Sequence, residues 1–579
     1  MKKKHSLLSN FISLWEIMNH EERKKTLMFI FFTFIQVILE TLSIGSLYPL
    51  LLGIFGNNTK VFNNDLFTLD FIQKYLDNTN QVFLISAVIL LMFLLKNSFI
   101  IFVVHWSQTF ERNIKIRLKR HLLWSYLNND YLFHVNSDSA KLVRNINTST
   151  STIMGAVRMS MTYINDFTLF TFLLIFMITI NPLLVIFITI LVSSISFIYF
   201  ILFKKMLIKY GKFSFEHEGE SLKRLMQSFS LIKEIKLFNK EKYFLNFFNS
   251  EEKLFQEFQR KAYIIRSYPR IFFELIFVIG ILLFININVL DSSESISEIL
   301  PKTALIAIIL IRMVPSLNKI ITSAQKINQL QKSNDEIIKE LQDKTSIQKE
   351  AYIEDEIVRE NYKFEKINLE NINFSYDEKE GKVFDNFNLE IKKGNYIGIV
   401  GSSGSGKSTL IDILTGLLNT TGGKIKLNNE IAEVGSVQWK QIFGYVTQSV
   451  NLFNDTIYAN IAFETDINKI DKLRLNDALK KSGLIKFVNK LDKGINTFVG
   501  EFGYKISGGE KQRLSIARAL YKNSQILIFD ESFNSLDDET KKIILDEIKK
   551  LSETKTIIII SHNINDLKDC DKIIDLNKR

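Results

Sequence analysis

Hydrophobic and polar positions divide this chain into two stretches with different rhythms. Before about residue 325 the apolar positions come in long, almost unbroken runs; after about residue 360 short apolar strands alternate with charged helical segments. A helix needs about 20 mostly apolar residues to cross a bilayer. Six segments meet that length, roughly 27–55, 82–104, 162–180, 183–203, 271–290 and 303–323. The third and fourth read as one hairpin with a tight turn at Asn181-Pro182. The predicted architecture is multi-domain. An all-α transmembrane domain with six spanning helices occupies 1–325, a linker 326–360, and an α/β domain, whose motifs are read below as those of a P-loop nucleotide-binding domain, 361–579.

Charge orients the helices. The N-terminal segment carries Lys2, Lys3, Lys4, Arg23, Lys24 and Lys25, and the loop after the second helix carries Arg112, Lys115, Arg117, Lys119, Arg120, Lys141, Arg144 and Arg158. Between helices five and six there is only Lys302, with Asp291, Glu294 and Glu298 nearby. Basic residues collect on the cytoplasmic side. The N-terminus, the long loops 105–161 and 204–270 and the C-terminal domain are therefore expected in the cytoplasm. The first apolar run begins near Leu27 and lacks a small-residue cleavage site, so it reads as a retained helix rather than a signal peptide. Residues 2–25 then lie along the membrane face. The two inner loops continue the spanning helices and are each expected to carry a short transverse helix touching the C-terminal domain. In the first, that helix is Tyr131–Ser139, with Phe133 as the contact. Leu66–Tyr75 reads as a short amphipathic helix on the outer surface.

Composition adds two exclusions. A net charge of +11 admits a nucleic-acid partner, but basic cytoplasmic loops account for it, and no nucleic acid is expected. A single cysteine, Cys570, excludes a disulfide scaffold and a multi-cysteine metal site. The Asn-, Lys- and Ile-rich composition fits a bacterial source.

Ionisable residues inside the apolar runs are costly and are functional candidates by default. They are Glu40, Lys96, Arg270, Glu274, Arg312 and Lys319. Arg270 and Glu274 have the spacing of a helical ion pair, and Lys96 and Lys319 have the reach to snorkel. Alternatively Lys96, Arg270 and Arg312 form a cationic cavity wall for an anionic cargo.

The C-terminal domain carries the chemistry. Residues 395–400, NYIGIV, are a buried-strand pattern leading into Gly401-Ser402-Ser403-Gly404-Ser405-Gly406-Lys407-Ser408, a complete G-x-x-x-x-G-K-[ST] loop followed by Thr409 and an apolar helix. The glycines let backbone N–H groups curl around phosphates, and the helix N-terminus adds its positive end. Lys407 is expected on the β- and γ-phosphates of ATP and Ser408 on Mg²⁺. A second strand, Ile526–Phe529, ends in Asp530 and Glu531. Asp530 is the candidate metal residue, and Glu531 is placed to polarise the attacking water.

The remaining motifs say which kind of P-loop protein this is. Ile506-Ser507-Gly508-Gly509-Glu510 resembles the signature of ATP-binding cassette (ABC) proteins. Gln448 matches that family's glutamine loop, Tyr376 its adenine-stacking aromatic, Ser535-Leu536-Asp537 its D-loop and His562 its switch histidine; TFVGE at 497–501 resembles a segment of exporter-type cassettes. The resemblance implies a head-to-tail homodimer with ATP between the phosphate loop of one copy and the Ser507–Gly509 signature of the other. It also implies catalytic roles for Glu531, Gln448 and His562, and a Mg²⁺ contact for Gln448. The departures are Ile506, Glu510 and Ser532-Phe533-Asn534. Within the membrane half, Leu39-Glu40-Thr41 to Tyr48-Pro49, Tyr268-Pro269-Arg270-Ile271 and the run from Arg312 to Ser323 resemble bacterial lipid-linked oligosaccharide flippases. That resemblance implies an anionic polyprenyl-pyrophosphate cargo met by Lys96, Arg270 and Arg312 in the bacterial inner membrane. A peptide, drug or other-lipid exporter would share the architecture, and a cassette ATPase with no transport role is the remaining alternative.

Overall fold

The computed structural model describes residues 12, 15–55, 78–290, 296–343, 363–376, 381–533 and 536–577. These fall into two compact units, Met1–Asn129 with Ser137–Ala351, and Asp130–Asn136 with Tyr352–Arg579. The outer-surface helix expected at Leu66–Tyr75 lies outside the described residues, as does Ser535.

The first unit is helical throughout. Its elements are α1 (His20–Gly45), α2 (Leu47–Phe55), α3 (Asn78–Leu127), α5 (Ser139–Arg144), α6 (Thr150–Ile178), α7 (Pro182–Ser230), α8 (Ile232–Leu237), α9 (Glu241–Leu290), α10 (Ile296–Gln329) and α11 (Gln331–Asp343). Six of its helical stretches are long and apolar enough to cross a membrane, at His20–Leu51, Ile85–Leu127, Ser139–Ile178, Val185–Ser230, Glu241–Asn286 and Leu300–Gln329. They run well past the apolar segments because the inner loops continue the same helices.

Local chemistry sets the ends. Asn19 caps α1 in a reciprocal capping box with Glu22, a device contributing about 1 kcal/mol. Glu22 is also gripped by Arg117 of α3, whose Nε and terminal nitrogen each donate at 2.7 Å. Pro182 opens α7, where its missing N–H costs nothing. Between α5 and α6 the helix widens into one π-turn, Asn145–Ser149. Asn145 there donates to the Tyr126 hydroxyl at 3.2 Å and to the Glu340 carboxylate at 3.1 Å. Glu340 belongs to α11, so the first part of the expected linker, 326–343, is instead helix packed into this unit. The reason is its pattern: Ile337, Ile338 and Leu341 form one buried stripe.

The second unit contains two sheets. One is antiparallel with order β2-β1-β4-β5, from β1 (Lys366–Phe374), β2 (Phe384–Lys392), β4 (Gly422–Leu427) and β5 (Glu430–Ile431). The other is parallel with order β6-β7-β8-β3-β9, from β3 (Tyr396–Val400), β6 (Phe443–Val446), β7 (Ile526–Asp530), β8 (Thr556–Ile560) and β9 (Lys572–Asp575). β7 and β8 are buried along their full length, which is why they read as unbroken apolar runs rather than alternating ones. Helix α12 (Lys407–Leu414) follows β3, and α17 (Gly508–Tyr521) and α18 (Asp538–Ser552) flank β7. The short helix α4 (Tyr131–Asn136) belongs to this unit, and Leu132 packs on its core cluster. Phe133, the contact expected from the sequence, is half-buried with its ring edge-on to His134.

Candidate nucleotide site and the charged groups of the helical unit

The ends of parallel strands are where α/β sheets bind ligands. The C-terminal ends of β3, β6, β7 and β8 carry, respectively, the loop 401–406, Gln448, Asp530-Glu531 and His562. Four segments distant in sequence therefore converge on one edge of the sheet.

The loop is shaped by its glycines. Gly404 and Gly406 hold φ values of +80° and +88°, in the left-handed region that side chains resist. A Cβ on Gly401 would lie 2.3 Å from Ser405 Oγ. The Lys407 ammonium folds back into the loop, donating to the carbonyls of Gly401 at 2.8 Å and Ser402 at 2.9 Å. Ser405 Oγ is buried with no hydrogen-bond partner. A buried cation ringed only by neutral carbonyls, beside an orphaned hydroxyl, is a fit for a polyphosphate. Ser408 is exposed at the first turn of α12. Ser402 is tied to Asn577, which accepts from its backbone N–H at 2.9 Å and from its hydroxyl at 2.8 Å. The Tyr376 ring is 43% exposed, as a base-stacking surface must be, and its hydroxyl shares a 3.0 Å hydrogen bond with Thr409.

Beside the loop lies an acidic cluster. Gln448 Nε2 donates to Glu531 Oε2 at 2.5 Å, and His562 Nδ1 sits 3.0 Å from Glu531 Oε1. Glu531 itself has φ +45°, a costly conformation for a non-glycine residue of the kind stored at functional sites. Asp530 is buried and accepts from the Tyr445 hydroxyl at 2.9 Å. Burial, with the neighbouring Glu531 charge acting in the same direction, pushes the Asp530 carboxyl above its ordinary range; the Tyr445 bond opposes the shift. Burial and then the Asp530 charge push Asp412 up to about 6. Crowded, desolvated carboxylates of this kind are compensated by a divalent cation, so the donor set fits Mg²⁺.

Two other predicted residues serve local structure. Ser507 caps α17, and its hydroxyl donates to Glu510 at 2.7 Å while its backbone N–H donates to the same carboxylate oxygen at 2.8 Å. Glu510, the departure from the usual signature, thus closes a capping box. Asp537 caps α18 through the Thr540 N–H at 2.9 Å. Among the described residues, no hydrogen bond or ion pair joins Ser507, Gly508 or Gly509 to the loop 401–408 of the same chain. Sequence reasoning passed over Tyr445, Asp412 and Asn577. Only the position of Tyr445, three residues before Gln448, hinted at its place.

In the helical unit Arg270 separates from Lys96 and Arg312, the other two cations grouped by the sequence. Arg312 forms an ion pair with Glu40, which is 1% exposed. Glu40 and Arg312 are also the charged groups acting on Lys96, whose ammonium stands 4.4 Å from the Phe93 ring centre. Lys319 stands 3.7 Å from the buried Asp166. Arg312 and Lys319 line a cavity of about 340 Å³ that also holds Arg158, Glu111 and Asp166. Arg270 is not part of it: it lines a different cavity, and it makes no ion pair with Glu274. The wall around Arg312 therefore mixes three cations with two carboxylates.

Comparison with known proteins agrees with this geometry. The ABC transporter family profile matches residues 384–534. A Rickettsia typhi protein named for an export ATP-binding/permease role is 38% identical over 209 residues, 36% of each chain. An ATP-dependent lipid A-core flippase of Aliivibrio fischeri is 35% identical over 204 residues, 35% of each chain. The chain thus spans about a third of the length of the curated relatives it matches. Its fold is similar to that of a bacterial Atm1-family ABC exporter solved with ATP bound, with a TM-score of 0.77 at 20% identity, covering 96% of this chain and 94% of that one. Residues 384–534 accordingly match the ABC transporter family, within a chain that has the fold of an ABC exporter.

Proposed function

We propose that this chain works as a homodimer in the bacterial inner membrane, using ATP hydrolysis to move an anionic, lipid-linked cargo, with a polyprenyl-pyrophosphate oligosaccharide as the specific candidate. The observation that carries the ATPase part is the convergence of Lys407, Gln448, Asp530, Glu531 and His562 on one sheet edge, in a chain with six candidate membrane spans.

In this reading Lys407 and the N–H groups of the 401–406 loop hold the phosphates, Thr409 supports the loop, and Tyr376 faces the base. Ser408, Gln448 and Asp530 would hold Mg²⁺, which would supply positive charge to the phosphates. Glu531 accepts the proton side of a water, and His562 and Gln448 fix the orientation of its two carboxylate oxygens. Ser507, Gly508, Gly509 and Asp537 act on the partner copy's site, since they take no part in the site of their own chain. The cargo part is supported by the resemblance of the membrane half and by the basic residues of its inner end. The lipid A-core flippase matches over 204 residues, 35% of each chain, so an anionic lipid of another class, a peptide or a drug remains the second reading.

The test is reconstitution of the full chain in liposomes containing a polyprenyl-pyrophosphate oligosaccharide with a leaflet-accessibility assay. ATP-dependent movement that disappears in Glu531→Gln supports the reading. ATP hydrolysis without movement of that lipid removes this cargo and leaves the other exporter readings.

A further inference from the structure

Most cations lodged among the helices of the first unit have a carboxylate against them: Arg312 has Glu40, Lys319 has Asp166, Arg158 has Glu111 and Arg117 has Glu22. Arg266 of α9 and Lys326 of α10 do not, and both are half-buried. Both donate to the same neutral atom, Gln329 Oε1, at 2.7 Å and 3.3 Å. Neither lies within ion-pair distance of a carboxylate among the described residues. The acid acting on Lys326 is Glu218, and the two line a second cavity together, one that Arg266 and Arg270 do not line.

Arg266 and Lys326 open onto a cavity of about 470 Å³ whose lining includes Ser267, Arg270, Asn318 and Thr322. Three cations thus face one space with no carboxylate in its lining. The buried side-chain oxygen of Asn318 also lacks a partner; a half-turn of that amide presents its NH₂ instead. Two cations brought together out of water repel each other and lose hydration. An amide oxygen offsets only part of that, whereas an anion satisfies both charges and completes charge-assisted bonds. The planar fork of arginine matches phosphate oxygens in particular.

We propose that Arg266, Arg270 and Lys326 form a binding site for a phosphate or pyrophosphate group where the apolar stretch of α9 begins beside the inner end of α10. By the distribution of lysine and arginine this end faces the cytoplasm. The natural occupant is the headgroup of an anionic lipid taken from that leaflet. Its place in a transport cycle rests on the function proposed above; its binding chemistry does not.

The test is equilibrium binding to the full chain in nanodiscs of neutral phosphatidylcholine, without nucleotide, in a Lys407→Ala background so that the phosphate loop does not compete. Two probes are titrated separately: a polyprenyl pyrophosphate and inorganic pyrophosphate. The double variant Arg266→Gln/Lys326→Gln should weaken binding by about tenfold or more. Arg266→Lys/Lys326→Arg, which keeps the charges, should hold it within a few-fold and guards against a folding defect. Binding of the lipid probe alone assigns the site to a headgroup presented by the membrane; binding of both assigns it to the phosphate group itself. Equal affinity in the parent and the charge-neutral variant for both probes overturns the proposal. Loss of the site with ATP-driven lipid movement intact would overturn its use in transport, while binding without any movement would count against the proposed function and not against the site.

Discussion

Glu531 Oε2 accepts a hydrogen bond from Gln448 Nε2 at 2.5 Å, so the strand end that carries the acidic pair is joined directly to the residue that follows β6. With His562 3.0 Å from the other carboxylate oxygen, Glu531 is held from both sides, and its φ of +45° is kept in place by those contacts and by its backbone N–H, which donates to the Ile560 carbonyl at 3.0 Å.

Replacing Glu531 with Gln keeps the size of the side chain and removes its basicity. ATP binding should be retained while phosphate release falls by about 10²–10⁴-fold, the range for a lost general base. Lys407→Ala should act earlier, weakening nucleotide binding itself. Fluorescent-nucleotide binding beside phosphate-release assays separates the two; a Glu531→Gln protein with near-normal turnover would remove the role assigned to that carboxylate.

Tyr445 supplies the hydrogen bond that Asp530 receives at 2.9 Å. Tyr445→Phe should cost about 1–3 kcal/mol by leaving a buried acceptor short of a donor. If Asp530 is a metal residue, the variant should also need more magnesium to reach half-maximal ATPase activity. A magnesium titration alongside thermal unfolding checks both effects, and an unchanged magnesium requirement would confine Tyr445 to a structural role.

Arg312 neutralises Glu40, which is almost completely buried. Removing one partner of a buried pair leaves an uncompensated charge costing about 3–5 kcal/mol, and the lower end is expected because Arg312 is partly exposed. Arg312→Gln should therefore lower the melting temperature in detergent, and Glu40→Gln in the same chain should restore much of it. Restored stability with transport still impaired would show that Arg312 also meets the cargo.

Asp412 is raised to about 6 by burial and by the Asp530 charge. A carboxyl whose folded pKa lies above its unfolded value binds more protons in the folded state. Its contribution to stability is favourable below the unfolded value, near 3.9, and is lost as pH climbs toward and past 6. Asp412→Asn should accordingly gain stability relative to the parent as pH rises from 4 to 7, when both are measured without nucleotide or magnesium. Parallel pH profiles would mean that Asp412 is not desolvated in the folded protein.

Much of this protein was decided locally and so could be read from the chain. Six long apolar runs must span or aggregate, because hydrocarbon offers the backbone no hydrogen bonds. Gly401–Ser408 forms its loop because glycines at fixed positions permit left-handed backbone before a helix N-terminus. Ile526–Phe529 is apolar throughout because a central parallel strand is covered on both faces. Tertiary structure decided what depends on which helix face meets which neighbour. Periodicity says that Arg312 and Arg266 both sit in or beside membrane helices; it does not say that one meets Glu40 and the other only Gln329. It made 326–343 look like a connector, although Ile337, Ile338, Leu341 and Glu340 bind that stretch to the bundle. The convergence of Gln448, Glu531 and His562 likewise waited on strand order β6-β7-β8-β3, since only the sheet brings the ends of four separate strands to one edge.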